Sequence, residues 1–308
     1  MDKSYKNNST DALHVFLVVN PVSAFVSRMY IDKNSIQNKD ILVCSMRKTD
    51  TSLLANKSFE LSQNFFERIL FKTLKTPILS NKLLNIIRKK NKNFFIYCSW
   101  AFHESPNTPS INQILKSELC LGHYYLEEGQ LTYKKTKPYD PSHFKESSQR
   151  FIDDSEFIFR NDALGFIGIL DGAFPEAPKD KRIMLDNFHS LKEIYKPKLI
   201  GFTTIGLTCA VRRVKEKNFK NMLLTLVNNM PNGGVIKIHP SFNSTKKLRN
   251  MIESIFDSIA PKNISLCPNN VFLEIEMLYE KKIIIGPQTS LKKYSEMLGS
   301  EFIDLDLY

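Results

Sequence analysis

The chain has 308 residues, 42% hydrophobic and 24% charged, which is enough for two globular domains with cores of their own. It contains no run of about 18 apolar residues that would cross a membrane and no secretory signal at its polar start, so we expect a cytoplasmic protein. The excess of 43 basic over 32 acidic residues gives a net charge of +11, which favours an anionic partner without choosing among nucleic acid, membrane surface and small substrate.

The first half of the chain alternates apolar runs of strand length with segments of helical period. Two segments have helical spacing, 52–75 and 110–121, and Ser110 is the candidate N-cap of the second. The strand-like runs are 14–19, 41–44, 94–99, 124–128 and 166–170. This alternation predicts βαβ units with a buried parallel sheet.

The densest basic cluster, Arg88 to Lys92, follows the amphipathic stretch "SNKLLNIIRKK". It has two interpretations: a solvated helix end that complements the helix dipole, or peripheral contact with the anionic inner membrane. No nucleic-acid-binding motif accompanies the charge, so no nucleic-acid partner is expected.

The segment 171–182 is rich in Pro, Gly and charge and is the candidate linker. After it the alternation resumes, so two doubly wound α/β domains are predicted, residues 1–185 and 186–308. The predicted strands of the second are 198–204, 235–239, 264–267, 282–286 and 302–305. Its predicted helices are 212–230, 244–260, 270–281 and 290–298.

In such sheets ligands bind beyond the carboxyl ends of the strands, and with two domains the natural place is the cleft between them. The first polar motif at a strand end is "YYLEEG", which carries Glu127, Glu128 and then Gly129. Adjacent residues of a strand point to opposite sides, so one acid can face the cleft while the other ties down the loop. A cleft carboxylate suits general base catalysis; the alternative is a hydrated pair in a turn.

The second motif is "KIHPSF", in which His239 ends a strand, Pro240 fixes the backbone and Lys237 lies on the same face as the histidine. Together the two cations suit a phosphate, and the histidine can donate a proton. The alternative is a structural histidine before proline.

The third motif is "GPQTS", where Thr289 and Ser290 open a helix after an apolar strand. They fit both an ordinary N-cap and an anion site for a nucleotide phosphate. Glu274, at the start of the preceding helix, could accept hydrogen bonds from a ribose.

In their order and spacing, the Glu-Glu-Gly, Lys-x-His-Pro and Thr-Ser motifs resemble those of the bacterial sialyltransferases, in particular the polysialyltransferase and lipooligosaccharide sialyltransferase groups. The resemblance covers roughly residues 94–298. It implies a GT-B fold, in which two Rossmann-like domains face a cleft: an acceptor-side N-terminal domain and a C-terminal domain that binds a CMP-sugar.

The resemblance also implies residue roles. Glu128 would be the base that deprotonates the acceptor hydroxyl, with Glu127 in support, and His239 would protonate or stabilise the departing phosphate of CMP. The remaining implied donor-binding residues are Gly129, Lys237, Pro240, Glu274, Thr289 and Ser290. The chain departs from many relatives by having Glu, not Asp, in the second acidic position.

The implied reaction is metal-independent, inverting transfer of sialic acid from CMP-sialic acid to a hydroxyl of a bacterial surface glycan, lipooligosaccharide or capsule. The acceptor is expected to be lipid-linked. The donor is a substrate, and no cofactor or metal is expected, in keeping with the absence of D-x-D spacing and of a His/Cys cluster. Two alternatives stay open: a GT-B transferase with another CMP-nonulosonate or a diphospho-sugar as donor, and a basic nucleotide- or nucleic-acid-binding protein.

Overall fold

The chain forms two compact units, Met1–Leu191 (unit 1) and Lys192–Tyr308 (unit 2). The predicted boundary, between residues 185 and 186, lies just before the helix in which this division falls. The computed structural model describes residues 11–46, 49–54, 58–62, 67, 78–99, 110–133, 136–138, 157–160, 162–186, 188–210, 214, 218–239, 242, 246–268 and 270–307.

Unit 1 is built on a seven-stranded parallel sheet with the strand order β3-β2-β1-β4-β5-β8-β9. Its strands are β1 Leu13–Val18, β2 Ile41–Ser45, β3 Phe59–Glu60, β4 Phe94–Ser99, β5 Cys120–Leu126, β8 Gly165–Gly168 and β9 Arg182–Met184, while β6 Thr136–Pro138 and β7 Phe157–Phe159 form a separate parallel pair. The described helices of this unit are α1 Pro21–Lys33, α2 Ile78–Arg88 and α3 Ile111–Ile114, with short 3-10 turns at Asn38–Asp40, Gln130–Tyr133 and Lys179–Lys181.

The core of unit 1 covers both faces of this sheet, as the continuous apolar runs predict. On one face, Leu13, Val15 and Leu17 of β1 pack with the buried side of α2. On the other, Phe16 stacks on Tyr97 at 4.4 Å and Tyr97 on Tyr124 at 4.9 Å. Strands β1 and β4 are thus largely buried, whereas the edge strand β3 is exposed.

Unit 2 is built on a five-stranded parallel sheet with the strand order β12-β11-β10-β13-β14. Its strands are β10 Thr204–Leu207, β11 Gly234–Lys237, β12 Ile264–Leu266, β13 Ile283–Gly286 and β14 Glu301–Asp304. Helix α4, His189–Ile194, crosses the division, and the other described helices are α5 Phe219–Asn228, α6 Lys246–Ile259, α7 Leu273–Tyr279 and α8 Leu291–Met297.

Both sheets have the Rossmann-like order in which the chain winds outward from the first strand and then returns to its other side. The reversal lies between β1 and β4 in unit 1 and between β10 and β13 in unit 2. Ligands of such folds bind at the carboxyl ends of the strands near the reversal. The prediction of two doubly wound parallel-sheet domains is confirmed.

Several predicted elements are wrong in extent. The helix over 52–75 is interrupted by β3, because Phe59 pairs with Cys44 of β2 at the sheet edge. The helix over 110–121 ends at Ile114, because Cys120 is already paired with Phe94 in the sheet.

In unit 2 the strand predicted at 198–204 is observed at Thr204–Leu207, since Gly201 turns the chain with a φ of 84° and leaves Ile200 and Phe202 exposed. The helix predicted from residue 212 is described only from Phe219.

The basic cluster lies at the end of α2, where Lys89 and Lys90 are exposed. Lys92 forms ion pairs with Asp11 and, at 2.9 Å, with Asp40. This placement fits the interpretation as a solvated helix end, while contact with a membrane stays a prediction. None of the helices in the described part of the chain has the length and apolar character that a bilayer crossing requires.

Candidate active site

The acid loop, residues 127–133, leaves the carboxyl end of β5. Its first residue, Glu127, is fully buried, and its Oε2 accepts a 2.7 Å hydrogen bond from the N–H of Ile169. The hydroxyl of Tyr133 donates to Oε1. A Cβ on Gly168 would lie 3.2 Å from Oε2, so glycine leaves the space for this carboxylate. Glu127 therefore ties the loop to the end of β8.

Glu128 is half-buried and is held at several points. The hydroxyl of Ser99, the last residue of β4, donates to its Oε2. Its main-chain N–H donates to Thr132 Oγ1 at 3.1 Å, and its carbonyl accepts from Asn20 Nδ2 at 2.7 Å. Since Asn20 follows β1, the carboxyl ends of β1, β4 and β5 all contribute to the position of this acid.

Gly129 turns the acid loop away from the sheet. It is buried and has a φ of 121°, a conformation that residues with a Cβ rarely adopt. Its carbonyl accepts from the N–H of Thr132 at 2.9 Å, which closes the turn and places the Thr132 hydroxyl near Glu128. The positive φ of this turn therefore explains the glycine at position 129. Its contact with the donor stays a prediction.

In unit 2, His239 lies two residues beyond the end of β11 and is exposed. Its main-chain N–H donates to Thr208 Oγ1 at 2.7 Å, and its carbonyl accepts from the N–H of Phe242 at 3.0 Å. Because Thr208 follows β10 directly, the backbone of the histidine is anchored to the central strand of the sheet. Pro240 lies outside the described residues.

Lys237, the last residue of β11, is half-buried, and its Nζ donates to the carbonyl of Val271 at 2.6 Å. It therefore helps to hold the segment that leads into α7. Burial raises the pKa of the neighbouring Cys267 thiol, and the charge of Lys237 opposes that shift. A role of Lys237 near the nucleotide stays a prediction.

Glu274 and Glu276 both lie in α7, in different surroundings. Glu274 is half-buried in the first turn. Glu276 is fully buried and accepts from the Tyr195 hydroxyl at 2.6 Å and from the N–H groups of Lys198 and Leu199 at 2.8 and 3.0 Å. Glu276 therefore acts as a structural tie, and the ribose contact of Glu274 stays a prediction.

Thr289 and Ser290 lie between β13 and α8 and are half-buried. Thr289 Oγ1 accepts from the N–H of Leu291 at 3.2 Å, whereas Ser290, in the N-cap position, makes no side-chain capping bond. Helix α8 has only seven residues, so the predicted anion site depends on the two hydroxyls more than on a helix dipole.

The structure groups the predicted residues by unit: Glu127, Glu128 and Gly129 at one end of the first sheet, and Lys237, His239, Glu274, Thr289 and Ser290 at the carboxyl ends of the second. Within the described residues, no group of three or more His, Cys, Asp or Glu side chains could hold a metal ion.

The structure adds hydroxyl and amide groups that the motif analysis missed: Asn20, Ser99, Thr132 and Thr208. Two of them carried a signal in the sequence. Asn20 stands between an apolar run and Pro21, which is typical of an N-cap followed by a first-turn proline. Ser99 is the first polar residue at the end of the run "FFIYCS".

No protein-family model and no curated protein sequence matches this chain. Solved structures do. A co-structure of S. aureus MnaA with UDP has a TM-score of 0.57 and 12% sequence identity, over 96% of this chain and 79% of that one. A UDP-GlcNAc 2-epimerase from Neisseria meningitidis bound to UDP-GlcNAc has a TM-score of 0.54 and 12% identity, over 95% of this chain and 82% of that one.

The fold is GT-B. In a GT-B chain, two Rossmann-like parallel sheets follow one another, as they do here with seven and five strands. At 12% identity the similarity shows the fold alone. Neither solved structure is described as a sialyltransferase, so the choice of donor is a matter for proposal.

Proposed function

We propose that this chain is a GT-B enzyme that uses a nucleotide sugar and transfers the sugar to a hydroxyl group. The observation that carries the proposal is the contrast between the strand ends of the two sheets. Unit 1 presents the carboxylate of Glu128, which accepts from the Ser99 hydroxyl, while the Glu128 main-chain carbonyl accepts from Asn20. Unit 2 presents His239 with its backbone anchored to Thr208, followed along the sheet by the hydroxyls of Thr289 and Ser290.

The nucleotide is assigned to unit 2. The cation and hydroxyls at its strand ends can receive a phosphate, and Glu274 can accept hydrogen bonds from ribose hydroxyls. The fold relatives support a nucleotide or nucleotide sugar as the ligand, since one contains UDP and the other UDP-GlcNAc. His239 is proposed to donate a proton or a hydrogen bond to the phosphate as it leaves.

The acceptor is activated by unit 1. Glu128 takes the proton of the acceptor hydroxyl while the acceptor oxygen forms a bond to the anomeric carbon and the bond from that carbon to the phosphate oxygen breaks. The nucleotide departs with the bonding electrons, and attack from the opposite face inverts the anomeric centre. Glu127 has no part in the proton transfer, because its carboxylate is buried and engaged by Ile169 and Tyr133.

The first candidate donor is CMP-sialic acid, with a bacterial surface glycan such as lipooligosaccharide or capsule as acceptor. It is supported by the order of the Glu-Glu-Gly, Lys-x-His-Pro and Thr-Ser motifs, now placed at strand ends. A leaving group with a single phosphate carries less charge than a diphosphate and can be received by His239 and two hydroxyls.

The second candidate is a UDP-sugar, and the specific observation in its favour is that the two fold relatives named above were solved with a uridine nucleotide. This donor brings a second phosphate, which requires further donors from unit 2. Lys237 is the nearest such cation in sequence to His239, although its Nζ donates to Val271.

The deciding experiment is mass analysis of the products formed from CMP-Neu5Ac and from UDP-GlcNAc, each with a panel of galactosides and sialosides. A product one sugar heavier, with release of CMP or UDP, identifies the donor and supports the proposal. Formation of an epimerised UDP-sugar without transfer would show that the reaction is epimerisation and not transfer. No product and no nucleotide release from either donor would refute the proposal.

A further inference from the structure

Glu128 is fixed by contacts to its main chain and to its carboxylate that the three motifs do not predict. Its N–H is bound by Thr132, its carbonyl by Asn20 and its Oε2 by Ser99. The first two contacts fix the main chain. Of these three contacts, the one from Ser99 is made to the carboxylate itself, so it can affect the protonation of this group.

Ser99 is placed for this by the sheet. It is the last residue of β4, is fully buried and pairs with Leu126, the last residue of β5. Parallel pairing of these strands sets the Ser99 hydroxyl beside the first residues of the acid loop. A serine on a buried strand end has one rotatable hydroxyl, which can point its hydrogen at a carboxylate and stabilise the charged form.

Two titratable groups near Glu128, those of Cys98 and Glu127, do not take the place of the Ser99 hydroxyl as a donor to the carboxylate. Burial, and secondarily the charge of Glu128, raises the pKa of the adjacent Cys98 thiol well above its ordinary value, so the thiol stays neutral. The Glu127 carboxylate is buried and bound by Ile169 and Tyr133.

We propose that Ser99 is a positioning residue for the reaction: its hydroxyl fixes the Glu128 carboxylate and keeps it charged and ready to accept a proton. The inference rests on the proposed function for its catalytic meaning, but its physical content concerns only the Ser99–Glu128 pair. Ser99 itself touches neither donor nor acceptor in this proposal.

The test compares Ser99→Ala with Ser99→Thr, which retains a hydroxyl, and with Ser27→Ala. Ser27 is the matched control because it is also a fully buried serine of unit 1, and its hydroxyl donates to the Ser23 carbonyl within α1. The first measurement is the pH dependence of kcat/KM for transfer. We expect its acid limb to move up by about one pH unit in Ser99→Ala, to return towards the wild-type position in Ser99→Thr, and to stay unchanged in Ser27→Ala.

The second measurement needs no activity. In a 13C NMR titration of the glutamate carboxyl signals, with Glu128 assigned by its absence in Glu128→Gln, we expect Glu128 to titrate at a higher pH in Ser99→Ala than in the wild type. Equal titration in the two proteins would overturn the inference even if transfer occurs. A shifted titration in a protein without transfer would support the Ser99–Glu128 pairing and refute the proposed function alone.

Discussion

The residues that follow the first strand of each sheet make different contacts in the two units. In unit 1 only Val19 and Asn20 separate β1 from α1, and Asn20 caps the helix by accepting from the Ser23 N–H at 2.9 Å. In unit 2 the hydroxyl of Thr208, directly after β10, accepts from the main-chain N–H of His239, and the next helix is described from Phe219. The turn after the first strand is where Rossmann-like folds usually bind a phosphate.

In unit 1 the Asn20 side chain in that turn is bound by other groups of the same unit. Asn20 satisfies the helix through its oxygen and binds the Glu128 carbonyl through its nitrogen. The strand ends of the first sheet thus hold an acid in place, whereas those of the second carry His239, Lys237 and the hydroxyls of Thr289 and Ser290, which the proposed function assigns to an anion.

The largest effect is expected at Glu128. Replacing it with Gln removes the proton acceptor while keeping the shape, so transfer should fall roughly 10²- to 10⁴-fold with the nucleotide affinity unchanged. Steady-state kinetics and calorimetric titration of the nucleotide measure the two quantities. Wild-type turnover in Glu128→Gln would show that Glu128 is not the general base.

Glu127→Gln is the matched control for that change. Because Glu127 accepts from Ile169 and Tyr133 in a buried place, its replacement should lower the free energy of unfolding by about 2 kcal/mol and reduce transfer far less than Glu128→Gln. Denaturant unfolding gives the first value. If the loss of transfer were larger for Glu127→Gln, the roles of the two acids would be reversed.

The next effect is expected in unit 2, at His239. Removing the imidazole in His239→Ala takes away the group proposed to receive the leaving phosphate, so kcat should fall about 10²-fold. The fold should be kept, because the side chain is exposed and the anchoring bond to Thr208 is made by the main chain. Circular dichroism checks the fold, and an unchanged kcat would exclude His239 from the reaction.

A buried histidine makes the stability of unit 1 depend on pH. His123 in β5 is buried, and its Nε2 has no hydrogen-bond partner among the described residues. Its pKa is lowered to about 4, chiefly by burial; the charge of Asp162 opposes this shift, and the charges of Arg160 and Lys181 contribute to it. In the unfolded chain the same imidazole takes up a proton near pH 6.5.

Between pH 6.5 and 4 the unfolded state therefore binds more protons than the folded state, so stability falls as the pH falls, by on the order of 3 kcal/mol over the whole interval. His123→Phe should flatten this dependence, as followed by urea unfolding at several pH values. Burial also lowers the pKa of His14, but His14 is present in both proteins. Equal pH slopes for wild type and variant would contradict the assignment to His123.

The sequence predicts those structural features that are determined by residues close together along the chain. The apolar runs locate β4, β5, β11 and β13 to within a few residues, and the Glu127–Glu128 pair at a strand end follows from them. β3 could not be predicted in this way, because Phe59 and Glu60 are held by pairing with β2 and their own segment has helical spacing.

The supports of the acid loop escape local patterns for the same reason. Ser99 lies 29 residues and Asn20 lies 108 residues from Glu128 along the chain. They meet it only because parallel strands bring their carboxyl ends to one edge of the sheet. The burial of Glu127 likewise depends on a distant residue, because its carboxylate accepts from the N–H of Ile169, directly after β8.

The smallest expected effect tests the central claim most directly, that unit 2 binds the nucleotide and unit 1 supplies the base. CMP and UDP are titrated calorimetrically into the wild type, Glu128→Gln and the double variant Thr289→Ala with Ser290→Ala. The account predicts that one nucleotide binds the wild type and Glu128→Gln equally, and binds the double variant about tenfold more weakly, since two hydroxyl contacts are lost. Unchanged affinity in the double variant, or weakened affinity in Glu128→Gln instead, would contradict it.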